Sequence, residues 1–379
     1  MICFIICFWI VYLVFSLLTS SKGLPAITSL YDSEWTELFN NYEGWSGADG
    51  IYSISLDGED AIWSASGSTK TLFIFSDTLL GWCDHITHKY MEGPLMIHNS
   101  AANFIGKTPL NNNRHFIYGD RGTMTNTSIF GYNSWLSDGI AIGNKVYIIS
   151  FTYDMTMNPS RTDLITIPIG SDGWANFSEY EIKFGIPLFH KTASHIITFG
   201  AAIMDNTKVD GHVYIYGIRN RLSDAYKQMV VARVSKANFH NTDAWVFYDG
   251  KSWINDVSKC DTDSSSLFDH VSPELSVTFI TSGNYKGKYF LIYEHDTLSN
   301  YLKYAIGTSP LVFGSPVVFY TTPEPKQFNN SFSYNAKAHP HISAPGTLLV
   351  SYNVNVFSLT EFPTTNEIYR PRFVVLKFE

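Results

Sequence analysis

Two aspartates in the first part of the chain have the character of a catalytic carboxylate pair. Asp49 is followed by Gly50, which lets the backbone turn there, and Asp77 comes directly after the β-forming run 71–75 and Ser76. A charge at the mouth of a buried strand is costly without a partner, which favours a functional or hydrogen-bonded role for Asp77. Glycoside hydrolysis uses two carboxyl groups, one as proton donor and one as nucleophile or base.

A β-hairpin is the element that would bring these two carboxylates together. Residues 51–56 alternate in character, residues 71–75 form a dense β-forming run, and Asp57-Gly58 is a turn signal. Antiparallel strands place the start of one strand beside the end of the next. Asp49 and Asp77, 28 positions apart, are therefore expected on the same edge of one sheet.

A polar residue that opens a β-rich run recurs along the chain and predicts a repeating fold. The openings span 290 residues in four intervals, a mean of about 72, and they are Asp49, Asp138, His195, Glu274 and His339. Helical periodicity is confined to residues 33–40. Four-stranded antiparallel blades around a channel fit this spacing, so the sequence predicts an all-β, five-bladed propeller whose last strand, 372–378, completes the ring.

The propeller would gather distant side chains at one end of its channel. The innermost strand of each blade lines the channel, so Asp49, Asp138, Glu274 and the pair His339/His341 should converge there. Glu274 follows Pro273 and precedes an alternating strand, and glutamate rarely forms turns. We therefore add Asp138 and Glu274 to the catalytic candidates.

The start of the chain resembles a secretory signal peptide. Residues 1–20 are almost wholly apolar and end in the small polar run 19–21, so we predict a signal peptide over residues 1–22, although a signal anchor has similar length. We expect residues 23–379 to form a single propeller domain that is secreted and contacts no membrane after cleavage. Sequons at Asn126, Asn176 and Asn329 fit a glycoprotein. Cys83 and Cys260 remain as a disulfide or as free thiols.

Composition excludes some classes of function. The chain is 16% aromatic and 16% charged, with a net charge of −8, and it has no basic stripe of the kind that nucleic-acid binders carry. No nucleotide-binding glycine loop or nucleophile elbow is present. These features suit a secreted, monomeric all-β protein with a sugar-facing surface, and they imply no cofactor and no nucleic-acid partner.

Several blocks together resemble a known family. The blocks are G-A-D-G-I-Y-S, T-L-F-I-F-S-D-T-L-L-G, M-I-H-N-S-A-A, V-S-P-E-L-S-V and A-K-A-H-P-H-I-S with L-L-V-S-Y-N-V-N. They resemble secreted five-bladed propellers of formerly unknown function that are related to endo-D-arabinanases, and more distantly the arabinanase, xylosidase and invertase propellers. The resemblance implies Asp49 and Asp77 as the catalytic acids. The wider group uses acids on separate blades, which would be Asp49, Asp138 and Glu274, so the working pair stays open.

Further polar and aromatic residues are candidates for binding a sugar. Trp45 offers a stacking surface, and the polar candidates are His98, Asn99, His339, His341, Tyr352 and Asn353. Core packing or internal hydrogen bonding is the alternative for each of them. The compact D-H-x-x-H cluster of Asp84, His85 and His88 lacks a helix or a matching distant ligand, so no metal site is predicted, and a structural cation in the channel has no support.

The resulting hypothesis is a secreted glycoside hydrolase that cleaves an arabinan-like polysaccharide or oligosaccharide containing furanosides or pentoses. Asp49 and Asp77 would be the carboxylate pair. The alternative is a non-catalytic carbohydrate-binding propeller of the cell surface or extracellular matrix, since fold alone does not fix function. A sialidase-like or phosphate-directed hydrolase is disfavoured because no arginine cluster is visible.

Overall fold

The computed structural model shows a chain dominated by β-strands. It describes residues 25–60, 70–110, 113–131, 134–155, 158–224, 226–357 and 364–378. The predicted signal peptide, residues 1–22, lies outside these described residues. In the described ranges no helix has both the length and the apolar character needed to cross a bilayer.

The strands follow one another along the chain with few helices between them. In chain order they are β1 (Ile27–Tyr31), β2 (Glu43–Ala48), β3 (Tyr52–Ser55), β4 (Lys70–Phe75), β5 (Thr78–Trp82), β6 (Leu95–Ile97), β7 (Ser100–Ile105), β8 (Arg114–Ile117), β9 (Ser134–Ile142), β10 (Lys145–Tyr153), β11 (Pro159–Pro168), β12 (Glu181–Lys183), β13 (Phe189–Lys191), β14 (His195–Asp205), β15 (His212–Arg221), β16 (Lys227–Ser235), β17 (Val246–Tyr248), β18 (Trp253–Ile254), β19 (Phe268–Asp269), β20 (Leu275–Phe279), β21 (Tyr289–Glu294), β22 (Tyr301–Ser309), β23 (Val312–Phe313), β24 (Val317–Thr321), β25 (Ser331–Ala338), β26 (Thr347–Val356) and β27 (Arg372–Phe378). The α-helices in these ranges are α1 (Ser33–Leu38), α2 (Thr207–Asp210) and α3 (Glu324–Gln327).

Most of these strands belong to successive antiparallel sheets, which confirms the all-β prediction. The larger sheets, in chain order, are β3-β4-β7-β8, β9-β10-β11-β12, β13-β14-β15-β16-β17-β18 with β19 on β16, β20-β21-β22-β23 with β24 on β22, and β25-β26-β27-β1. A small sheet, β2-β5-β6, lies beside the first of them. In the last sheet β27 pairs with the N-terminal strand β1, from Ile27↔Phe378 to Tyr31↔Val374, so the two ends of the described chain share one sheet.

One strand of each larger sheet packs against the corresponding strand of the next sheet. β3 packs on β9, β9 on β14, β14 on β20 and β20 on β25. β25 and the segment after it return to β3, because Lys337 lies over the Tyr52 ring and His339 hydrogen-bonds to Ser53. These strands therefore surround a common axis, and residues far apart in sequence face one another across it.

The hydrophobic core is divided into clusters between neighbouring sheets. Ile54 and Ile148 belong to one cluster between the first two sheets, Ile149 and Phe199 to the next, and Leu275 to a third. Sheets stacked in this way bury one face against each neighbour, because each strand alternates its side chains between two faces. Inter-sheet burial is thus the main source of apolar stabilisation, at about 25 cal/mol per Å² of apolar surface.

The predicted hairpin is confirmed, and so is the short helix near residue 33. β3 pairs with β4 from Tyr52↔Ile74 to Ser55↔Thr71, and the Gly58 amide donates to the Ser55 carbonyl at 3.1 Å in the turn. Beyond the hairpin the two strands leave the sheet, and they continue as β2 and β5 of the small sheet.

Two of the predicted strand openings are wrong. Asp138 lies inside β9, at a bulge between the pairs Ile148↔Gly139 and Ser150↔Leu136. His339 follows β25 and precedes a short 3-10 helix, Pro340–Ile342. The inner strand of that sheet is β25, whose small and polar residues give a weak β pattern in the sequence.

Gly47, in β2, supplies a test of the close backbone packing beside the open end of the β3-β4 hairpin. A Cβ atom at residue 47 would lie 2.2 Å from the Tyr369 carbonyl oxygen. We expect Gly47→Ala to destabilise the protein by about 1–3 kcal/mol, because backbone on both sides would have to shift. Thermal unfolding should show a lower Tm for this variant.

Gly93→Ala is the matched control. Apart from the two neighbours in the chain, no heavy atom of the described residues lies within 4 Å of a Cβ atom at this position. Its Tm should stay close to that of the wild type, and equal effects of the two substitutions would contradict the packing described around Gly47.

Candidate active site

Two of the predicted catalytic carboxylates line one cavity, and a third lies beside it. The cavity has a volume of about 360 Å³ and is lined by Asp49 and Glu274. Trp135, Tyr153 and Tyr334 form part of its wall. The Trp135 and Tyr153 rings stand against each other with centroids 4.2 Å apart. The cavity therefore combines acidic groups with aromatic faces.

Two backbone hydrogen bonds at the open end of the β3-β4 hairpin fix Asp49 beside Asp77. The Asp49 amide donates to the Asp77 carbonyl at 3.1 Å, and the Ser76 amide donates to the Asp49 carbonyl at 2.9 Å. The Tyr334 hydroxyl donates to Asp49 Oδ2 at 3.2 Å, and the Tyr369 hydroxyl also hydrogen-bonds to this carboxylate. The sequence prediction that the hairpin brings the two aspartates together is confirmed at the backbone level.

The surroundings of the Asp49 carboxyl favour its protonated form. Burial raises its pKa well above the usual value, and the neighbouring charges of Asp77 and Glu274 raise it further. The hydrogen bonds from Tyr369 and Tyr334 act in the opposite direction. Like charges in one poorly solvated space cannot all ionise, so Asp49 has the property of a general acid.

The Asp77 carboxyl is more exposed and has partners that favour its charge. Its side chain is 18% exposed, and His98 Nδ1 lies 3.4 Å from Asp77 Oδ1. Burial raises the pKa of Asp77, while His98 and the side chain of Trp135 lower it. Its neighbour Ser76 lines the cavity, so Asp77 stands at the cavity edge.

Glu274 comes from another sheet and is tied to the Asp49 segment through Asn335. With the Asn335 amide assigned so that both of its ends are satisfied, its nitrogen lies 3.2 Å and 2.5 Å from the Glu274 oxygens, and its oxygen accepts from the Gly50 amide at 3.2 Å. Burial raises the pKa of Glu274, and the positive charge of Lys337 opposes that rise. The sequence correctly placed Glu274 at the start of a strand.

Asp138 lies outside the cavity that Asp49 and Glu274 line. Its carboxylate accepts from the Gly139 amide at 2.8 Å and from the Ile203 amide at 2.6 Å. Burial raises its pKa to about 7. It lines a smaller cavity of about 40 Å³ together with Lys337. The structure therefore does not bring Asp138 into the cavity that holds Asp49 and Glu274.

Lys337 is a buried lysine that sequence reasoning missed. It is 2% exposed, and its Nζ has no hydrogen-bond partner among the described residues. Nζ lies 3.0 Å from the centroid of the Tyr52 ring. Burial lowers the pKa of Lys337 to about 7, against the charges of Glu274, Asp138 and Asp49. The lysine between Ala336 and Ala338 was the available signal, but the bulge that precedes it in β25 sets the direction of its side chain.

The residues predicted to bind sugar are mostly placed in the core. Trp45 is buried, its indole donates to Ser100 Oγ at 3.0 Å, and it packs on aromatic rings. Asn99 donates to the Ser134 carbonyl at 2.8 Å and accepts from the Phe130 amide. These side chains are satisfied inside the protein and do not line the cavity. Of the set, only His98 lies beside a catalytic candidate.

The histidines and the C-terminal candidates are likewise engaged. His339 is fully buried, and its two ring nitrogens lie 2.8 Å from Ser53 Oγ and 2.8 Å from Ser351 Oγ. His341 hydrogen-bonds to Thr71, and the Tyr352 hydroxyl donates to Glu324.

Asn353 has a positioning role instead of a binding one. Its amide donates to the Ala48 carbonyl at 2.8 Å and so supports the residue before Asp49.

The side chains of the D-H-x-x-H cluster also have internal partners. Asp84 Oδ1 accepts from backbone amides two and three residues further on. His88 is paired with Glu367 and Tyr42, and the His85 ring stacks on Tyr42 with ring centroids 4.3 Å apart.

Cys83 and Cys260 are buried free thiols, so of the two alternatives that the sequence left open, a disulfide or free thiols, the structure shows free thiols.

Comparison with known proteins places the chain in a family and a fold. A family model described as Domain of unknown function (DUF5005) matches residues 32–377. No curated protein sequence matches the chain. A crystal structure of a proposed hydrolase from Bacteroides ovatus is 17% identical, with 94% of this chain and 93% of that chain covered and a TM-score of 0.68. This likeness shows a shared fold.

Two glycoside hydrolases are more distant in structure. A thermostable family-43 glycoside hydrolase is 14% identical, with coverage of 89% and 91% and a TM-score of 0.47. An α-L-arabinofuranosidase from Clostridium thermocellum is 12% identical, with coverage of 86% and 88% and a TM-score of 0.44.

The raised pKa of Asp49 predicts a pH-dependent gain of stability when its charge is removed. In the folded state the carboxyl keeps its proton to a higher pH than in the unfolded state, so wild-type stability falls as pH rises above about 4. We expect Asp49→Asn to match the wild type near pH 3 and to exceed it at pH 8. The gain is ~1.4 kcal/mol for each pH unit between the two pKa values. Urea unfolding at several pH values measures it.

Asp84→Asn provides the control of opposite sign. Hydrogen bonds from Thr87 and Ile86 lower the pKa of Asp84, so this carboxylate contributes stability above its unfolded pKa that is lost as pH falls. The Asp84 variant should therefore be less stable than the wild type at pH 8. A gain for both variants would show a general charge effect and not a property of the cavity.

Proposed function

The chain belongs to the DUF5005 family of domains of unknown function, and on that premise we propose that it is a glycoside hydrolase. The observation that carries the proposal is the mutual placement of Asp49, Asp77 and Glu274. Asp49 and Glu274 line one cavity, Asp77 is hydrogen-bonded to Asp49 through the backbone, and the charges of Asp77 and Glu274 raise the pKa of Asp49. Two carboxyl groups in unlike electrostatic surroundings are what hydrolysis of a glycosidic bond requires.

The roles follow from the two environments. Asp49, whose raised pKa favours the protonated form, would give a proton to the oxygen of the leaving sugar. Burial raises the pKa of Asp77 as well, but His98 and Trp135 oppose that rise, and Asp77 would act as the nucleophile or as the base that activates water. Glu274 would assist the pair without reacting itself. Its charge raises the pKa of Asp49, and Asn335 holds it in place.

The substrate we propose is an arabinan-like polysaccharide or oligosaccharide with furanoside or pentose units. The support is the similarity of the sequence blocks to endo-D-arabinanase relatives, together with the aromatic wall of Trp135 and Tyr153. Aromatic faces stack on the apolar faces of sugar rings, while nearby acids and amides hydrogen-bond to hydroxyl groups.

Architecture and location are further parts of the proposal. Five consecutive larger sheets, and inner strands that meet around an axis, support a five-bladed propeller. Secretion is proposed from the apolar N-terminal segment, and the exposed sequon residues Asn126 and Asn329 suit a glycoprotein. A polysaccharide substrate would be met outside the cell.

Substitution of the two aspartates tests the activity. Asp49→Asn and Asp77→Asn should each lower turnover on a cleaved polysaccharide by about 10²–10⁴-fold, because each removes one proton-transfer or nucleophilic group. Reducing-sugar release from a panel of arabinans, xylans and galactans measures this. Asp84→Asn, in an exposed turn, is the control and should keep wild-type turnover.

The panel also separates the proposal from its alternative. Binding to a glycan without turnover by wild type, together with unchanged binding by both aspartate variants, would favour the non-catalytic carbohydrate-binding propeller.

The pH profile of the active enzyme provides a second test with two variants of opposite effect. Activity should fall at low pH as Asp77 takes up a proton, and at high pH as Asp49 loses its proton. Glu274→Gln removes a negative charge that raises the pKa of Asp49, so the alkaline limb should move to lower pH. Tyr334→Phe removes a hydrogen bond that lowers this pKa, so the limb should move to higher pH.

Initial rates from about pH 3 to 10 give both shifts. If the alkaline limb moves in the same direction in both variants, or moves in neither, the result contradicts Asp49 as the acid.

A further inference from the structure

A cluster of two imidazoles and one carboxylate lies close to the cavity. His270 Nδ1 is 2.8 Å from Asp296 Oδ1, and His295 Nε2 is 3.4 Å from Asp296 Oδ2. One ligand atom from each of the three residues lies within 4.8 Å of the others. The side chains are 52%, 33% and 47% exposed, in chain order, so an ion from solvent can reach them.

The cluster joins the two segments that flank the strands beside Glu274. His270 lies four residues before Glu274, and Asp296 lies two residues after the end of β21, which pairs with β20 from Leu275↔Tyr293 onward. The Asp296 amide donates to the His270 carbonyl at 3.3 Å. The next residue, Thr297, lines the same cavity as Glu274.

The backbone at the cluster is held in an unfavourable conformation. The φ angles of His270, Asp296 and Thr297 are 59°, 49° and 75°. Such left-handed values are uncommon outside glycine and are unusual for a β-branched threonine. They persist only where surrounding structure imposes them, and they are concentrated at functional sites. Here they turn the imidazole of His270 and the carboxylate of Asp296 towards each other.

We propose that His270, His295 and Asp296 bind one transition-metal ion of the zinc class. Two imidazole nitrogens and one carboxylate oxygen are a common three-residue ligand set for zinc, whereas magnesium and calcium prefer oxygen ligands alone. Tetrahedral bonds of about 2.1 Å place ligand atoms about 3.4 Å apart. The three ligand atoms lie within 4.8 Å of one another, and the two imidazoles contact different oxygens of Asp296, so side-chain rotation would bring one oxygen and both nitrogens to this spacing.

The ion would sit where the hydrogen bond between His270 and Asp296 now lies, and it would leave one coordination position for water. It would fasten the segment before Glu274 to the segment after β21.

Metal titration of the full-length, tag-free protein, first treated with chelator and dialysed, tests the site. Zn²⁺ should bind with one-site stoichiometry in calorimetry. At about 100 times the dissociation constant it should raise the Tm by on the order of 3 °C. Co²⁺ should give the visible absorption bands of a four- or five-coordinate site. Mg²⁺ and Ca²⁺ should leave the Tm unchanged.

Three variants locate the binding. His270→Asn and Asp296→Asn each remove a ligand, and asparagine tolerates the left-handed backbone of these positions, so both should fold. Each should lose the Zn²⁺-dependent rise in Tm. His85→Ala is the control from the D-H-x-x-H cluster and should retain it.

The proposal is overturned by absence of Zn²⁺ binding in the wild type, by retention of the full rise in Tm in both ligand variants, or by an equal rise with Mg²⁺ or Ca²⁺. The readouts are heat, absorption and Tm, so they do not depend on whether the protein cleaves a glycan.

Discussion

The crowding of carboxyl groups at the open end of the β3-β4 hairpin is the constraint on which the rest of the site depends. The paired backbone of Asp49 and Asp77 prevents the two residues from separating, and Glu274 is held close by the amide of Asn335. In a poorly solvated cavity like charges oppose one another's ionisation, and this raises the pKa of Asp49. The neighbouring Tyr334 limits the cost of the arrangement by donating a hydrogen bond.

Bulges in two of the inner strands set the direction in which nearby side chains point. β9 is bulged beside Asp138, and β25 is bulged between the pairs Tyr334↔Asn353 and Lys337↔Ser351. A bulge inserts a residue and re-aims the side chains around it, which a regular alternation of faces cannot do. Lys337 consequently points into the channel, where its positive charge lies near three acidic groups and opposes the rise in the pKa of Glu274.

Polar residues outside the cavity serve mainly to hold the segments that carry it. His339 bridges Ser53 and Ser351 across two sheets, and Asn353 supports the carbonyl before Asp49. Each such side chain satisfies a buried polar group that would otherwise be costly. A channel built from distant strands needs these links, because the apolar clusters between sheets are not directional and cannot fix a carboxylate to a fraction of an ångström.

The sequence by itself determined the all-β class, the hairpin and the adjacency of Asp49 and Asp77, because turn residues and alternation act over short separations. It also marked Glu274, whose position before a clean strand is a local signal. Only the tertiary structure separated Asp138 from the cavity and placed Trp45 in the core. It also revealed Lys337 as a buried lysine among acids. The physical reason is that bulges and contacts between sheets set which way a side chain points, and these depend on residues hundreds of positions away.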